Sequence, residues 1–269
     1  MLNELRELLR KYGLKPRKHL GQNFLINKDI LSEIINTADL TKNDIVLEIG
    51  PGLGILTKEL AKKAKKVIAI EKDEKLVKIL KKELAHFKNI KIIEGDILKL
   101  PVTSYQLPVT YKLVANLPYY ITSPVIRKFL EEENPPAFAE ASAGRPKLMV
   151  LMVQKEVAER ICAKPPEMSL LSVAVQFYSQ PKIVKIVKKE SFWPRPKVDS
   201  AIIKLTTNNR QLTTINTNLF FKIVKAGFSQ PRKQLKNNLK NIFGKNTERI
   251  LQKLKIEPTW RAETLSIDE

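Results

Sequence analysis

Residues 46–54 read Val46-Leu-Glu-Ile-Gly50-Pro-Gly52-Leu-Gly54, an apolar run that ends in three glycines and passes into a helical pattern from Ile55 to Ala64. This order predicts a strand, a tight turn and a helix. Glycines in such a turn let a ligand approach the backbone closely, beside the positive end of the helix. Downstream, Val67-Ile-Ala-Ile-Glu71 predicts a second strand ending in a carboxylate, about where nucleotide-binding folds hold ribose hydroxyls. A third run, Ile90–Ile93, leads into Glu94-Gly95-Asp96, and a carboxylate there can accept a hydrogen bond from an adenine amino group. A lone glycine turn also serves strand-to-helix packing, and a lone acidic residue at a strand end also caps helices. On three successive strand ends of one sheet, however, Gly50, Gly52, Glu71 and Asp96 converge on the crevice where open α/β sheets bind ligands. An adenosyl cofactor is the reading. A nicotinamide cofactor competes, but Gly50-x-Gly52-x-Gly54 lacks the last glycine position of the dinucleotide fingerprint.

Outward from this core, short apolar runs alternate with helical patterns: Ile45–Ile49, Val67–Ile70, Ile90–Ile93, Lys112–Ala115 and Leu148–Val153. The alternation predicts an α/β protein with a Rossmann-like parallel sheet and crossover helices. Before it stand a helical pattern over residues 2–11, a basic loop from Gly13 to Gly21, and a second helix from Asp29 to Ala38. After it, residues 172–178 and 183–187 read as two further strands, and Ser200–Leu205 as the last. Residues 134–147, rich in small residues, Pro and Gly, read as a surface insertion. Beyond about residue 208 the pattern turns helical and basic: Lys225 to Lys255 contains nine Lys or Arg and a single acidic residue, Glu248. Residues 1–207 are therefore expected to form a Rossmann-like domain, and residues 208–269 a small all-α domain with a cationic surface.

Across 269 residues, 48 Lys and Arg oppose 28 Asp and Glu, a net charge of +20. That exceeds what solubility requires and points to a polyanionic partner. Apolar runs are too short and too often interrupted by Lys or Glu for a membrane span. The amphipathic start, Met1–Lys18, lacks the marks of a secretory signal, so a cytoplasmic protein is expected. One cysteine, Cys162, and two histidines give no metal-binding spacing, so no metal is expected.

At the end of the fourth strand stands Asn116-Leu117-Pro118-Tyr119. An adenine amino nitrogen is a poor nucleophile because its lone pair is delocalised into the ring. A catalyst must favour the pyramidal form that attacks a methyl group. The Asn116 side-chain oxygen and the Leu117 carbonyl can each accept an N–H bond from that nitrogen, while Pro118 stiffens the backbone between substrate and strand. Tyr119 can stack on an extruded base.

With these motifs the chain resembles the ribosomal RNA adenine dimethyltransferases, nearest to their bacterial small-subunit branch, over nearly its whole length. The resemblance rests on His19-Leu-Gly-Gln-Asn-Phe-Leu25, Glu48–Gly54, Asp96, Asn116–Tyr119, Gln154–Arg160, Phe192 with Pro194–Ser200, and Phe228 onward with Arg232, Lys233, Asn237 and Asn238. It implies S-adenosyl-L-methionine as cofactor, with Asn23 and Leu25 lining its pocket beside Gly50, Glu71, Asp96 and Asn116. Phe192 would pack on the target base opposite Tyr119. It also implies dimethylation of two adjacent adenosines near the 3′ end of 16S ribosomal RNA, in an immature small ribosomal subunit and coupled to its maturation. No membrane partner and a monomeric enzyme are expected.

Phosphate contacts are expected from the basic stretches, namely Lys15, Arg17 and Lys18 at the N-terminal loop and Arg232, Lys233, Lys236 and Lys240 in the helical region. Departures from the family pattern at Cys162–Leu170, at Pro231 and in the 134–147 insertion are expected to touch RNA contacts before chemistry. Two other readings stand beside the first: a large-subunit adenine methyltransferase of the antibiotic-resistance type, and a ribosome-assembly factor acting mainly by binding.

Overall fold

A computed structural model of the chain describes residues 1–17, 20–100, 105, 107–108, 110–132, 145–208 and 216–269. Lys18, His19 and residues 134–144 of the expected insertion lie outside the described residues. In chain order the elements are α1 (Leu2–Lys11), β1 (Phe24–Leu25), α2 (Lys28–Ala38), β2 (Ile45–Ile49), α3 (Ile55–Lys63), β3 (Lys66–Glu71), α4 (Glu74–Glu83), β4 (Ile90–Glu94) and β5 (Lys112–Asn116). There follow α5 (Thr122–Arg127), β6 (Leu148–Gln154), α6 (Lys155–Ile161), α7 (Leu170–Tyr178), β7 (Ser179–Val187), β8 (Phe192–Trp193), β9 (Ser200–Thr207), α8 (Thr217–Gly227), α9 (Leu235–Phe243) and α10 (Thr247–Lys253). No helix among the described residues is long and apolar enough to cross a membrane.

Seven strands form one sheet in the order β4-β3-β2-β5-β6-β9-β7. Strands β4 to β6 run parallel, and β9 and β7 close one edge antiparallel. The sheet is therefore mixed, where the sequence pattern predicts a parallel one. Val67, Ile68, Ala69 and Ile70 are all buried, as expected of a parallel strand covered by helices on both faces. Strand order reverses at β2, whose neighbours are β3 and β5. A crevice opens there at the carboxyl ends of the strands.

Residues 172–178 are not a strand, contrary to the sequence expectation. They belong to α7, which Ser169 opens with a reciprocal capping box to Ser172. Their β-branched and aromatic residues favour a strand locally. Burial reverses that preference: Val173, Ala174, Val175, Phe177 and Tyr178 are all buried, and a helix apolar on every side is satisfied only when covered all round. Part of the cover comes from α8, whose Phe220 stacks on Phe177 at 4.4 Å between ring centroids and whose Phe221 lies 5.8 Å from Tyr178. The helical module thus joins the sheet domain through an aromatic cluster. Its own core is Leu235, Leu239, Leu251, Ile256 and Ala262.

At the opposite, amino-terminal end of the sheet, Asp44 lies between two lysines. Lys112 Nζ is 3.2 Å and Lys147 Nζ 2.8 Å from its carboxylate, while Lys112 also donates to the carbonyls of Ala38 and Asp39 at the end of α2. The first strand after α2 is thereby clamped to β5 and β6.

Candidate active site

Two backbone bonds align the strand ends. Gly50 N–H donates to Ile70 O at 3.0 Å, and Gly95 N–H to Glu71 O at 2.9 Å, so the ends of β2, β3 and β4 meet in one row. Glu71 is buried and anchored: Oε2 accepts from Gly52 N–H at 3.2 Å, and Oε1 from Lys72 and Asp73 N–H at 2.9 Å each. Burial raises its pKa, and the three N–H donors offset only part of that. Asp96 opposes its own partial burial with the Lys72 ammonium at 2.9 Å and the Leu98 N–H at 3.0 Å, and its pKa falls. Gly52 has φ +61°, and a Cβ there would meet the Phe24 ring at 3.1 Å, so both its conformation and its neighbour require glycine.

The N-terminal loop roofs this row. Strand β1 pairs with β8, setting Leu25 opposite Phe192 and Phe24 opposite Trp193. The loop is tied to the row by Arg17, whose guanidinium lies 3.2 Å from the Asp73 carboxylate, and by Gln22, which bonds Arg17 N–H and reaches Asp73. Asn23 follows directly, and its carbonyl accepts the Asn116 side-chain N–H at 3.2 Å. This bond fixes the Asn116 amide: its nitrogen faces the loop, and its Oδ1 is left to accept from a substrate. The Asn23 amide itself donates to Gly21 O at 3.3 Å. Leu117 N–H bonds Met152 O, holding the Leu117-Pro118 turn to β6. Tyr119 opens a 3-10 turn, and its hydroxyl meets Ser200 Oγ at 2.7 Å; burial pushes that phenol above its ordinary pKa.

Asn23, Leu25, Gly50, Gly52, Glu71, Asp96, Asn116, Leu117, Pro118, Tyr119 and Phe192 all line one cavity of about 190 Å³. The cofactor and catalytic candidates read from sequence therefore come together. Gln22, Lys72 and Tyr120 line it too and were not singled out. Lys72 follows Glu71 directly, but its bond to Asp96 spans two strands and no spacing reveals it. Glu48, quoted only within a motif, is 1 % exposed on the cavity wall, and its Oε2 meets no hydrogen-bond partner.

The basic candidates are dispersed. Lys15, Arg232, Lys233 and Lys240 are exposed. Lys236 pairs with Glu248 at 2.9 Å, and Arg17 is held by Asp73 as described.

A glycine turn after β2, a buried acid ending β3, an acid after β4 and Asn-Leu-Pro-Tyr after β5 suit an adenosyl group on one side and a planar amine on the other. These features define a Rossmann-like S-adenosylmethionine-dependent methyltransferase acting on an amino nitrogen. A match to the family Ribosomal RNA adenine dimethylase spans residues 13–269, and the chain belongs to that family. It is accordingly an rRNA adenine dimethyltransferase. Two relatives, each called Ribosomal RNA small subunit methyltransferase A, lie close in sequence. That of Dehalococcoides mccartyi is 44% identical over 100% of this chain and 91% of its own length; that of Bacillus licheniformis is 45% identical over 98% and 92%. Among solved structures, a dimethyladenosine transferase from Plasmodium falciparum has a TM-score of 0.77, with 31% identity and coverage of 91% of this chain and 94% of that one. The 23S rRNA methyltransferase ErmE has a TM-score of 0.74 with 26% identity, covering 91% and 96%.

Proposed function

We propose that the enzyme dimethylates two adjacent adenosines near the 3′ end of 16S ribosomal RNA in the immature small subunit, as a cytoplasmic monomer. One observation carries the choice of subunit: identity of 44–45% over the chain's length with relatives named for the small subunit, against 26% with the large-subunit enzyme ErmE.

In this reading Glu71 holds the ribose hydroxyls, Asp96 the adenine amino group of the cofactor, and Asn23, Leu25, Gly50, Gly52 and Asn116 complete its pocket. The cofactor supplies a methyl group made electrophilic by a sulfonium. Asn116 Oδ1 and the Leu117 carbonyl accept the N–H bonds of the target amine and draw its nitrogen toward a pyramidal geometry. Tyr119 and Phe192 hold the extruded base. No strong base is required, because the methylated amine carries a positive charge and loses a proton readily to water. Residues 1–207 carry the chemistry and residues 208–269 contact RNA, with Lys15, Arg232, Lys233 and Lys240 exposed among the candidates for phosphate contact.

Labelled methyl transfer to purified unmethylated small subunits, with large subunits and naked DNA as controls, tests the assignment. Dimethyladenosine is expected only in small-subunit RNA; label in large subunits overturns it. Asn116→Ala is expected to lower turnover on the order of 10²- to 10³-fold, as for loss of one positioned catalytic hydrogen-bonding group, while retaining subunit binding.

A further inference from the structure

Tyr120 follows the motif that holds the target amine and has no part in the chemistry above. It shares a 3-10 turn with Tyr119, and both residues line the cavity. Their surroundings differ. The Tyr119 hydroxyl is anchored on Ser200, the first residue of β9. Tyr120 packs instead on the N-terminal loop: its ring Cδ1 and Cε1 lie 3.4 and 3.5 Å from where a Gly21 Cβ would stand. Gly21 has φ +62°, and that Cβ would also meet Pro118 at 3.2 Å, so the loop presents bare backbone to this edge of the ring. Tyr120 is 56 % exposed, more than any other Phe, Tyr or Trp among the described residues. An exposed ring is ordinary on a protein surface. At the rim of a substrate cavity it lies on the substrate's path.

Dimethylation of two adjacent adenosines, the reading on which this inference rests, puts one base between Tyr119 and Phe192 while the other stays outside, one phosphodiester away. Extruding the first base strips its neighbour of a stacking partner. Consecutive Cα atoms stand about 3.8 Å apart, so a ring at position 120 lies within one nucleotide's reach of the base held at position 119. The cofactor's adenosine is provided for by Glu71 and Asp96 inside the cavity, whereas a ring more than half open to solvent suits a ligand that remains outside. We propose that Tyr120 is the stacking platform for the second adenosine, holding it while its neighbour is methylated. A dimethylated adenine keeps its π-face, so the same ring serves the finished base after the two exchange places. Tyr120 is in this role a specificity residue for paired purines, separate from the pair that grips the target.

Steady-state methyl transfer to unmethylated small subunits tests the role. Tyr120→Ala is expected to raise the apparent KM for subunits roughly 5- to 100-fold, as for loss of one stacked base, with kcat within a few-fold of wild type. Its Kd for S-adenosylmethionine, measured by calorimetry without RNA, is expected to match the wild type. Tyr120→Phe keeps the ring and is expected to keep the wild-type KM. Subunits in which one of the two adenosines is replaced by uridine or by guanosine identify the base. For the wild type, methylation of the remaining adenosine is expected to show a higher KM beside uridine than beside guanosine, because a pyrimidine offers less surface to stack; Tyr120→Ala is expected to be indifferent to that exchange. A wild-type KM in Tyr120→Ala, or weakened cofactor binding as its only defect, overturns the proposal, and so does an equal uridine penalty in both proteins. Should Tyr120→Ala fail to fold, Tyr120→Leu keeps an apolar contact with Gly21 without a ring and is read in the same way. Wild-type enzyme that leaves small-subunit RNA free of dimethyladenosine overturns the substrate reading, and the inference with it.

Discussion

Tyr119 separates two contributions that a single deletion would merge. Its hydroxyl is bonded to the buried Ser200, while its ring borders the cavity. Tyr119→Phe removes one hydrogen bond, expected to be about 1 kcal/mol in thermal stability, and leaves methyl transfer within a few-fold of wild type. If the ring stacks on the target base as proposed, Tyr119→Ala is expected to weaken the apparent affinity for unmethylated subunits in steady-state assays by about 1–3 kcal/mol. Equal activity loss in both variants would assign the role to the hydroxyl instead. Asn116 is legible in the sequence as a hydrogen-bonding residue at a strand end. Which way its amide faces is decided by the Asn23 carbonyl, 93 positions earlier.

At the scale of elements, the amino-terminal end of the sheet depends on Asp44. Burial opposes its ionisation, but Lys147, the Thr41 N–H and hydroxyl and Lys112 outweigh it, and its carboxyl is held far below the ordinary 3.8. A depressed native pKa means that this stabilisation is present above about pH 4–5 and fades as pH falls toward the native value. Asp44→Asn leaves the buried Lys112 ammonium without its carboxylate and is expected to cost about 3–5 kcal/mol at neutral pH. Chemical denaturation at pH 7 and pH 3 checks both statements: the gap between variant and wild type should narrow at the lower pH. α7 belongs to the same scale. Its Ser169–Ser172 box is visible in the sequence only in hindsight, because its apolar run satisfies strand and helix equally until its surroundings are known.

For the whole molecule, two features concern the helices that follow the sheet. The cluster of Phe177, Tyr178, Phe220 and Phe221 joins α8 to α7, and Phe177→Ala is expected to cost about 3–5 kcal/mol, read as a lower thermal midpoint. In the proposed reading the exposed cations near the start of α9 meet RNA phosphates. Replacing Arg232 and Lys233 together by Ala is expected to weaken subunit binding at every salt concentration and to flatten the dependence of log affinity on log salt by roughly 1–2 units. An unchanged slope would move the phosphate contacts elsewhere on the surface.

The sequence by itself determined the strand–glycine turn–helix at Gly50–Gly54, the acids at Glu71 and Asp96, and the Asn116–Tyr119 motif. Each is a local pattern in which alternating apolar runs reveal where a strand ends, and strand ends in a parallel sheet point to one crevice. Tertiary structure alone decided the antiparallel edge of the sheet, the helical state of α7, the pairing of Leu25 with Phe192, the Arg17–Asp73 tie and the isolation of Glu48. Those features depend on which distant segments share a wall, and on what burial there does to charge and to backbone preference; neither is encoded in the spacing of residues along the chain.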